Sequence, residues 1–526
     1  MFKLLYLKLE SHPQLKNIEI DFVDELESRN NKKPYTSIII GPNGTGKSLI
    51  LRTIVEIFRQ FVNSTDATPE ARHGYAFHIR YIIGEEIFEI LTRRLAIADR
   101  KGLRRNYIAF KNRPFDEAFY NMQDKLPIER LPGYEIPFSQ LKFPEKLLAS
   151  AIFINDRFPF HNSEAGDFYQ YLGVRRTASA TSTGTFTRKT INYLFNAAED
   201  DEFQERMGSM FSFLDFQPYL VINYQTRYNS VFFSGQLSVD TLEQFYERWW
   251  EVEGVNRKKT NAPWGQWYYL QLKKENPIRL QEIVNFMNEA SSDSMRIQRK
   301  PKSRARNFIV DFFNPNYNTD FFPFIQELEK LSILVLDEIK MRKFDSEISM
   351  SQLSSGEYQL ILGLLGIFAN LKPGSIILID EPEISLHPNW QLQYISLLKK
   401  MFANYNDCHF IISTHSHFLV SDLENGSSSI IALDRNEKGT EARLLDGIDA
   451  YGWSAEEILY NIFRVKTVRN YFLEADLTDL LGLIGNNSQN RQLIESKLSA
   501  IKNLNISPND PLNAVIDEAE VYINAL

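Results

Sequence analysis

Gly41-Pro-Asn-Gly-Thr-Gly-Lys-Ser48 is the stretch from which the rest of the chain is read. The apolar run Ser37-Ile-Ile-Ile40 precedes it directly, and Leu49-Ile-Leu-Arg-Thr-Ile-Val-Glu-Ile-Phe58 follows with apolar residues at helical spacing. Strand, glycine loop and helix in that order are the context of a P-loop. A loop wrapping a polyphosphate turns successive backbone N–H groups inward, in dihedrals that side chains obstruct, hence Gly41, Gly44 and Gly46 beside Pro42, Asn43 and Thr45. The helix opening at Leu49 adds its unpaired amides and positive dipole end. In that setting Lys47 is expected to reach the β/γ-phosphates of ATP, and the Ser48 hydroxyl to ligate Mg²⁺.

A chain of 526 residues holds several domains and a large core, with apolar content of 43% and charged content of 24% in the ordinary globular range. The net charge of −8 argues against a uniformly basic nucleic-acid coat and leaves room for a local basic patch. Cys408 is the single cysteine, so an intrachain disulfide and a cysteine-cluster zinc site are excluded, and a reducing compartment is expected. The N-terminus reads as a strand rather than a signal peptide, and no apolar run approaches the ~18 residues of a membrane span. The expectation is a cytoplasmic protein with no membrane partner.

A second cluster of chemistry lies far downstream. Leu353-Ser-Ser-Gly-Glu357 stands at the start of the apolar helix Leu360–Phe368, where small polar residues and a glycine make another anion-ready N-terminus. Ser375-Ile-Ile-Leu-Ile-Asp380-Glu381-Pro382-Glu383 then reads as a buried strand delivering carboxylates to its carboxyl end. Asp380 is placed to hold the Mg²⁺ shell and Glu381 to polarise an attacking water. Cys408-His-Phe-Ile-Ile-Ser-Thr-His415 is another such strand, ending in a histidine able to position the γ-phosphate.

Together, Gly-x-x-Gly-x-Gly-Lys-Ser, Leu-Ser-Ser-Gly-Glu, four apolar residues before Asp-Glu, Leu-His-Pro and Ser-Thr-His resemble the ABC-type ATPase heads. Among those they look like the RecF/SMC and overcoming-lysogenization-defect branch rather than transporters. The resemblance implies an α/β fold: a P-loop head with a mixed sheet, an N-terminal antiparallel β layer and inserted helical arms. It makes Leu353–Glu357 the signature motif, the segment after Glu383 the D-loop and His415 the switch histidine. In such heads the signature of one protomer completes the P-loop site of another, so Ser354 and Gly356 would contact the γ-phosphate in trans. A homodimer or higher even oligomer follows. Two departures from transporters stand out, Ser355 for the usual Gly and Glu357 for the usual Gln. For the Q-loop, Gln170 and the pair Asn155-Asp156 both remain candidates, and Tyr35 is the guess for adenine stacking.

The motifs divide the chain into residues 1–60 and 145–190 as the P-loop lobe, 61–144 as a variable insertion and 191–345 as a helical, aromatic-rich arm. Residues 346–450 are then the second lobe and 451–526 a helical docking region for a partner or a second copy. Arg175 to Lys189 reads as an exposed loop. Trp249-Trp250 and Trp264…Trp267-Tyr268-Tyr269 either fill the arm's core or stack on nucleobases. Arg93-Arg94…Arg104-Arg105 reads as a solvated face or a phosphate contact. The densest basic run carries Arg299, Lys300, Lys302, Arg304 and Arg306, either a flexible basic loop or a phosphate-contact site for nucleic acid. Residues 465–526 lack the acidic clusters of a Toprim nuclease, which is similar to the PtuA ATPases of Septu and retron-associated phage defence. That resemblance implies a separate HNH nuclease subunit, PtuB-like, and DNA or a retron DNA–RNA product as further partners. The competing expectations are a RecF-like repair ATPase that binds duplex DNA, and a scaffold whose heads nucleotide merely glues together.

Overall fold

The computed structural model describes residues 1–23, 33–62, 74–99, 102–114, 134–153, 156–160, 166–173, 175, 183–226, 232–253, 262–292, 297–299, 306–314, 319–423, 426–436, 439–445, 453, 455–461, 463, 471–486, 488–502 and 512–525. They fall into two compact units, Met1–Tyr451 and Gly452–Leu526.

The first unit opens with a hairpin, β1 (Phe2–His12) and β2 (Lys16–Asp21), and continues through β3 (Tyr35–Ile40) into the P-loop helix, Lys47–Val62. Next, β4 (Ala76–Ile83), β5 (Glu86–Asp99), β6 (Gly102–Lys111) and β7 (Glu135–Ile136) widen the hairpin into a six-stranded antiparallel sheet of order β2-β1-β4-β5-β6-β7. The segment expected as a variable insertion is therefore largely the continuation of the N-terminal β layer. Arg94 faces Arg105 across its β5–β6 pair. β8 (Leu147–Ala151) and β9 (Tyr169–Tyr171) then return to the sheet of β3.

Residues 191–345 contain the expected helices, joined by strands. β10 (Phe216–Thr226), β11 (Ile297–Arg299), β12 (Arg306–Asp311), β13 (Leu334–Lys343) and β14 (Ser346–Ser349) make a second antiparallel sheet, ordered β11-β12-β10-β13-β14. Of the basic run, Arg299 ends β11 and pairs across from Arg306, which opens β12, while Lys300, Lys302 and Arg304 lie outside the described residues. Of the aromatic cluster, Tyr269 is buried and stacks on Tyr246 at 4.7 Å, so it serves the core, whereas Trp267 is half exposed. The loop expected up to Lys189 is helical from Thr183, because Ile191, Leu194 and Phe195 give Thr183–Ala197 a face to bury.

The last strands complete the sheet of β3. β15 (Ile376–Asp380), β16 (His409–Ser413), β17 (Ser428–Asn436) and β18 (Gly439–Leu444) yield the order β18-β17-β3-β16-β15-β8-β9, parallel except for the β17–β18 hairpin. β3, β15 and β16 are buried along their whole length, as parallel strands covered on both faces are. The P-loop helix lies among the same core residues, Phe58 meeting Tyr81 at 5.4 Å and Phe61 meeting Tyr107 at 4.9 Å. His409 fixes the two sheets to each other: its Nδ1 accepts from Leu4 N at 3.0 Å and its Nε2 lies 2.8 Å from Ser37 Oγ.

In the second unit the helices Tyr471–Gly485, Arg491–Lys502 and Leu512–Ala525 share a small core. Leu480 is fully buried there, and Leu473, Leu477 and Ile484 pack on the same cluster, while Leu481 turns half outward. No helix among the described residues is long and apolar enough to cross a membrane.

Candidate functional site: a P-loop cavity

Register places the chemistry. Ile39 of β3 pairs with Ser413 of β16, Ser413 with Asp380 of β15, and Asp380 with Ala151 of β8. Parallel strands end together, so the loops after them converge on one edge of the sheet, where open α/β sheets bind ligands. The P-loop leaves β3 there. Gly44 and Gly46 hold φ of 82° and 97°, open to glycine and strained for other residues, and a Cβ on Gly46 would lie 2.3 Å from the Leu15 side chain. Thr45 Oγ1 donates to Pro42 O at 2.9 Å, and Thr440 Oγ1 donates to Thr45 O at 3.0 Å, bracing the loop from inside and from β18.

Lys47 is buried and donates to Gly41 O at 2.8 Å and Pro42 O at 3.3 Å, with His415 Nδ1 at 3.3 Å. Burial lowers its ammonium to about 8, against the opposing pull of Glu381, Glu383 and Asp380. It stays a cation at neutral pH. Asp380 is pushed up to about 6 by burial, opposed by hydrogen bonds from the Ser413 and Ser48 hydroxyls and reinforced by the charges of Glu381 and Asp156. A buried carboxylate crowded by acids and touching the Ser48 hydroxyl is a hard-oxygen pair suited to Mg²⁺. The described residues contain no cluster of three acidic, His or Cys ligands, so the remaining ligands of such an ion would be phosphate and water.

Glu381 takes a φ of 50°, and its N–H donates to Ser413 O at 2.9 Å. Such strain in a non-glycine residue costs on the order of 1–3 kcal/mol and clusters at functional sites. The His415 ring, 3.5 Å away through Nε2, holds the Glu381 carboxyl below its usual range, with Lys47 adding to the effect. Glu383 is the residue that sequence reading left without a role. Its Oε1 accepts the His415 N–H at 2.6 Å, so the second acid of Glu-Pro-Glu positions the histidine loop.

Lys47, Ser48, Glu381 and His415 line one open cavity of about 1030 Å³. Its other walls were not legible as such: the β1–β2 turn from Ser11 to Asn17, Arg157, and Arg435 and Thr440 of the β17–β18 hairpin. His12-Pro13 between two strands was the available signal. Tyr35 is buried against His409 and carries the Lys3 ammonium over its ring, so it is not free to stack on a base. Gln170 is buried and donates to Asp167 O at 3.1 Å, while Asp156 is wrapped by Arg175, so both of these side chains are engaged elsewhere. Asn155 lies outside the described residues.

Leu353–Glu357 is absent from this cavity's lining. Ser354 caps the helix Ser355–Asn370 with a reciprocal Glu357 interaction, and Lys343 Nζ donates to Glu357 Oε1 at 2.6 Å. Burial alone would raise Glu357, but Lys343 and the Ser354 N–H and hydroxyl hold it below its usual range. Ser354 and Ser355 are exposed. Gly356 is required by close approach, since a Cβ there would sit 2.4 Å from Ser385 O.

Residues 271–421 match the family model described as "AAA domain, putative AbiEii toxin, Type IV TA system". That stretch holds Leu353–Glu357, Asp380, Glu381 and His415. Its curated relatives include the "Retron Vc95 probable ATPase" of Vibrio cholerae serotype O1 biovar El Tor, 31% identical over 144 residues. That match covers 23% of this chain and 27% of the relative. The "Retron Ec83 probable ATPase" of Escherichia coli is 39% identical over 108 residues, 18% of this chain and 19% of the relative. The chain thus spans about a quarter or less of the length of these relatives. Among solved structures, the SMC head domain of Thermotoga maritima is 12% identical with a TM-score of 0.35, covering 84% of this chain and 99% of that one. The Smc head of Pyrococcus furiosus bound to the C-terminal domain of ScpA is also 12% identical, with a TM-score of 0.32 over 85% and 96% of the two chains. Both superpose loosely.

Proposed function

We propose that the head hydrolyses ATP with Mg²⁺ as a head-to-head homodimer and thereby regulates a separate nuclease, of HNH type, in a retron-type defence system. The observation that carries the catalytic part is the meeting of Lys47, Asp380, Glu381 and His415 at the P-loop mouth. Lys47 neutralises the transferring phosphate, and Ser48 and Asp380 hold Mg²⁺, which supplies charge stabilisation when bound. Glu381 accepts the proton of the attacking water, and His415, held by Glu383, fixes the carboxylate in place. The homodimer is supported by the exposed Ser354 and Ser355, which stand outside the lining of the chain's own cavity. The names of the two relatives, both retron probable ATPases, support the retron context.

Phosphate release by the purified chain tests this. Wild type should release phosphate with Mg²⁺·ATP, and Glu381→Gln should lower the rate by about 10²–10⁴-fold while still binding ATP. ATP-driven dimerisation without phosphate release would favour the scaffold reading. A RecF-like reading draws on Arg299 standing opposite Arg306 across β11–β12. Salt-sensitive binding of bare duplex DNA, lost when Arg299, Lys300, Lys302, Arg304 and Arg306 are neutralised, would establish it.

A further inference from the structure

Five parallel strands set their ends side by side in the order β17-β3-β16-β15-β8. Ala432, Ile40, Ser413, Asp380 and Ala151 mark that edge through the register, which at about 4.8 Å per strand spans about 19 Å. The groups emerging from it are therefore ordered. Arg435 stands near the end of β17 and lies beside Gly44, the P-loop follows β3, His415 follows β16, Glu381 follows β15, and Arg157 follows β8. One arginine stands at each end of the polyphosphate track, and both line the cavity. Arg157 is at the end that carries Asp380 and Glu381, where the terminal phosphate and attacking water belong.

The backbone around Arg157 is built to hold it there. Asp156, with a fully buried side chain, accepts from Arg175 Nη2 at 2.6 Å and Nε at 3.0 Å, from Tyr171 OH at 2.6 Å and from Phe158 N at 2.9 Å. Arg175 also donates to Phe158 O, so the residues before and after Arg157 are tied to one guanidinium. Arg157 itself is exposed and makes no ion pair or side-chain hydrogen bond among the described residues. A fixed backbone presenting a free guanidinium to a phosphate cavity is preorganised electrostatics.

We propose that Arg157 is a catalytic residue supplied in cis, contacting the γ-phosphate and stabilising the charge that develops there. The inference rests on the ATPase reading above. As the water oxygen bonds the γ-phosphorus, the bond from that phosphorus to the β–γ bridging oxygen breaks. The bridging oxygen keeps the electron pair and leaves on ADP, Glu381 takes the water proton, and the Arg157 guanidinium donates to the equatorial oxygens.

The test uses the full chain with Arg157→Ala and Arg157→Lys, both checked for an unchanged melting temperature. Expected is a kcat lower by about 10²–10³-fold in Arg157→Ala with the ATP dissociation constant within about threefold, and incomplete rescue by lysine, whose point charge lacks the planar fork. ADP binding in the presence of vanadate, a mimic of the pentacoordinate phosphorus, should tighten in wild type and not in Arg157→Ala. Unchanged kcat, or loss confined to ATP affinity, overturns the proposal. If wild type releases no phosphate, the ATPase reading fails by itself; the vanadate measurement then decides Arg157 alone, and equal tightening in Arg157→Ala overturns it.

Discussion

The head has two helix N-termini announced by glycine and serine, and they are prepared in opposite ways. The P-loop helix, Lys47–Val62, has no acid in its first turn, and its entrance is ringed by Lys47, the loop amides and the Ser48–Asp380 pair. The helix Ser355–Asn370 bonds the Ser354 and Glu357 amides in its own Ser354–Glu357 box and pairs the acid with Lys343 from β13. The first terminus is arranged to receive an anion inside its own chain. The second has its cap residue bonded back to Glu357 and leaves Ser354 and Ser355 exposed. The difference is the one the proposed shared site requires: one terminus open within its own chain, the other left for a second molecule to use.

The sharpest way to break that comparison is subunit complementation. Lys47→Ala and Ser354→Arg should each be inactive alone, yet an equal mixture should regain about a quarter of wild-type turnover, since each mixed dimer keeps one intact site. Recovery absent from the mixture in a phosphate-release assay would sink the shared site. Next in size is Gly356→Ala, whose Cβ would collide with Ser385 O. It should lower stability by about 1–3 kcal/mol in urea unfolding, the usual cost of overpacking. Glu357→Ala removes the reciprocal cap and should cost about 1 kcal/mol, while Glu357→Gln keeps the geometry and should cost less. The smallest effect belongs to the arm. Burial raises Glu329 to about 7, with Arg188 opposing. A carboxyl raised on folding contributes its stability below its unfolded value and loses it as pH rises through about 7. Glu329→Gln should therefore raise the melting temperature at pH 8 and leave it no higher than wild type at pH 5.

The seven-stranded sheet was legible because β3, β15 and β16 carry the short apolar runs Ile38–Ile40, Ile376–Ile379 and Phe410–Ile412, each leading directly into glycine or polar residues. The five-stranded sheet was less so. β10 and β13 alternate unevenly, with register shifts at Gln217/Leu220 and Asn223/Tyr224, and the helices between them carry the stronger periodic signal. Gln170 and Tyr35 show the limit of motif reading at the site, because residue type and spacing do not say which way a side chain faces. Both face the core.

For Gly41–Ser48 the sequence alone determined the loop, its lysine and its serine, since the demands of phosphate on backbone dihedrals and charge are local. It also singled out Asp380, Glu381 and His415 through their places at or after the ends of buried strands. Tertiary structure decided what those residues meet: the register that sets Asp380 beside Ser413, the Glu383 carboxylate under the His415 backbone, and the two arginines at the ends of the sheet edge. These depend on which strands lie next to one another, and adjacency in a parallel sheet is set by packing of the whole chain rather than by any local run of residues.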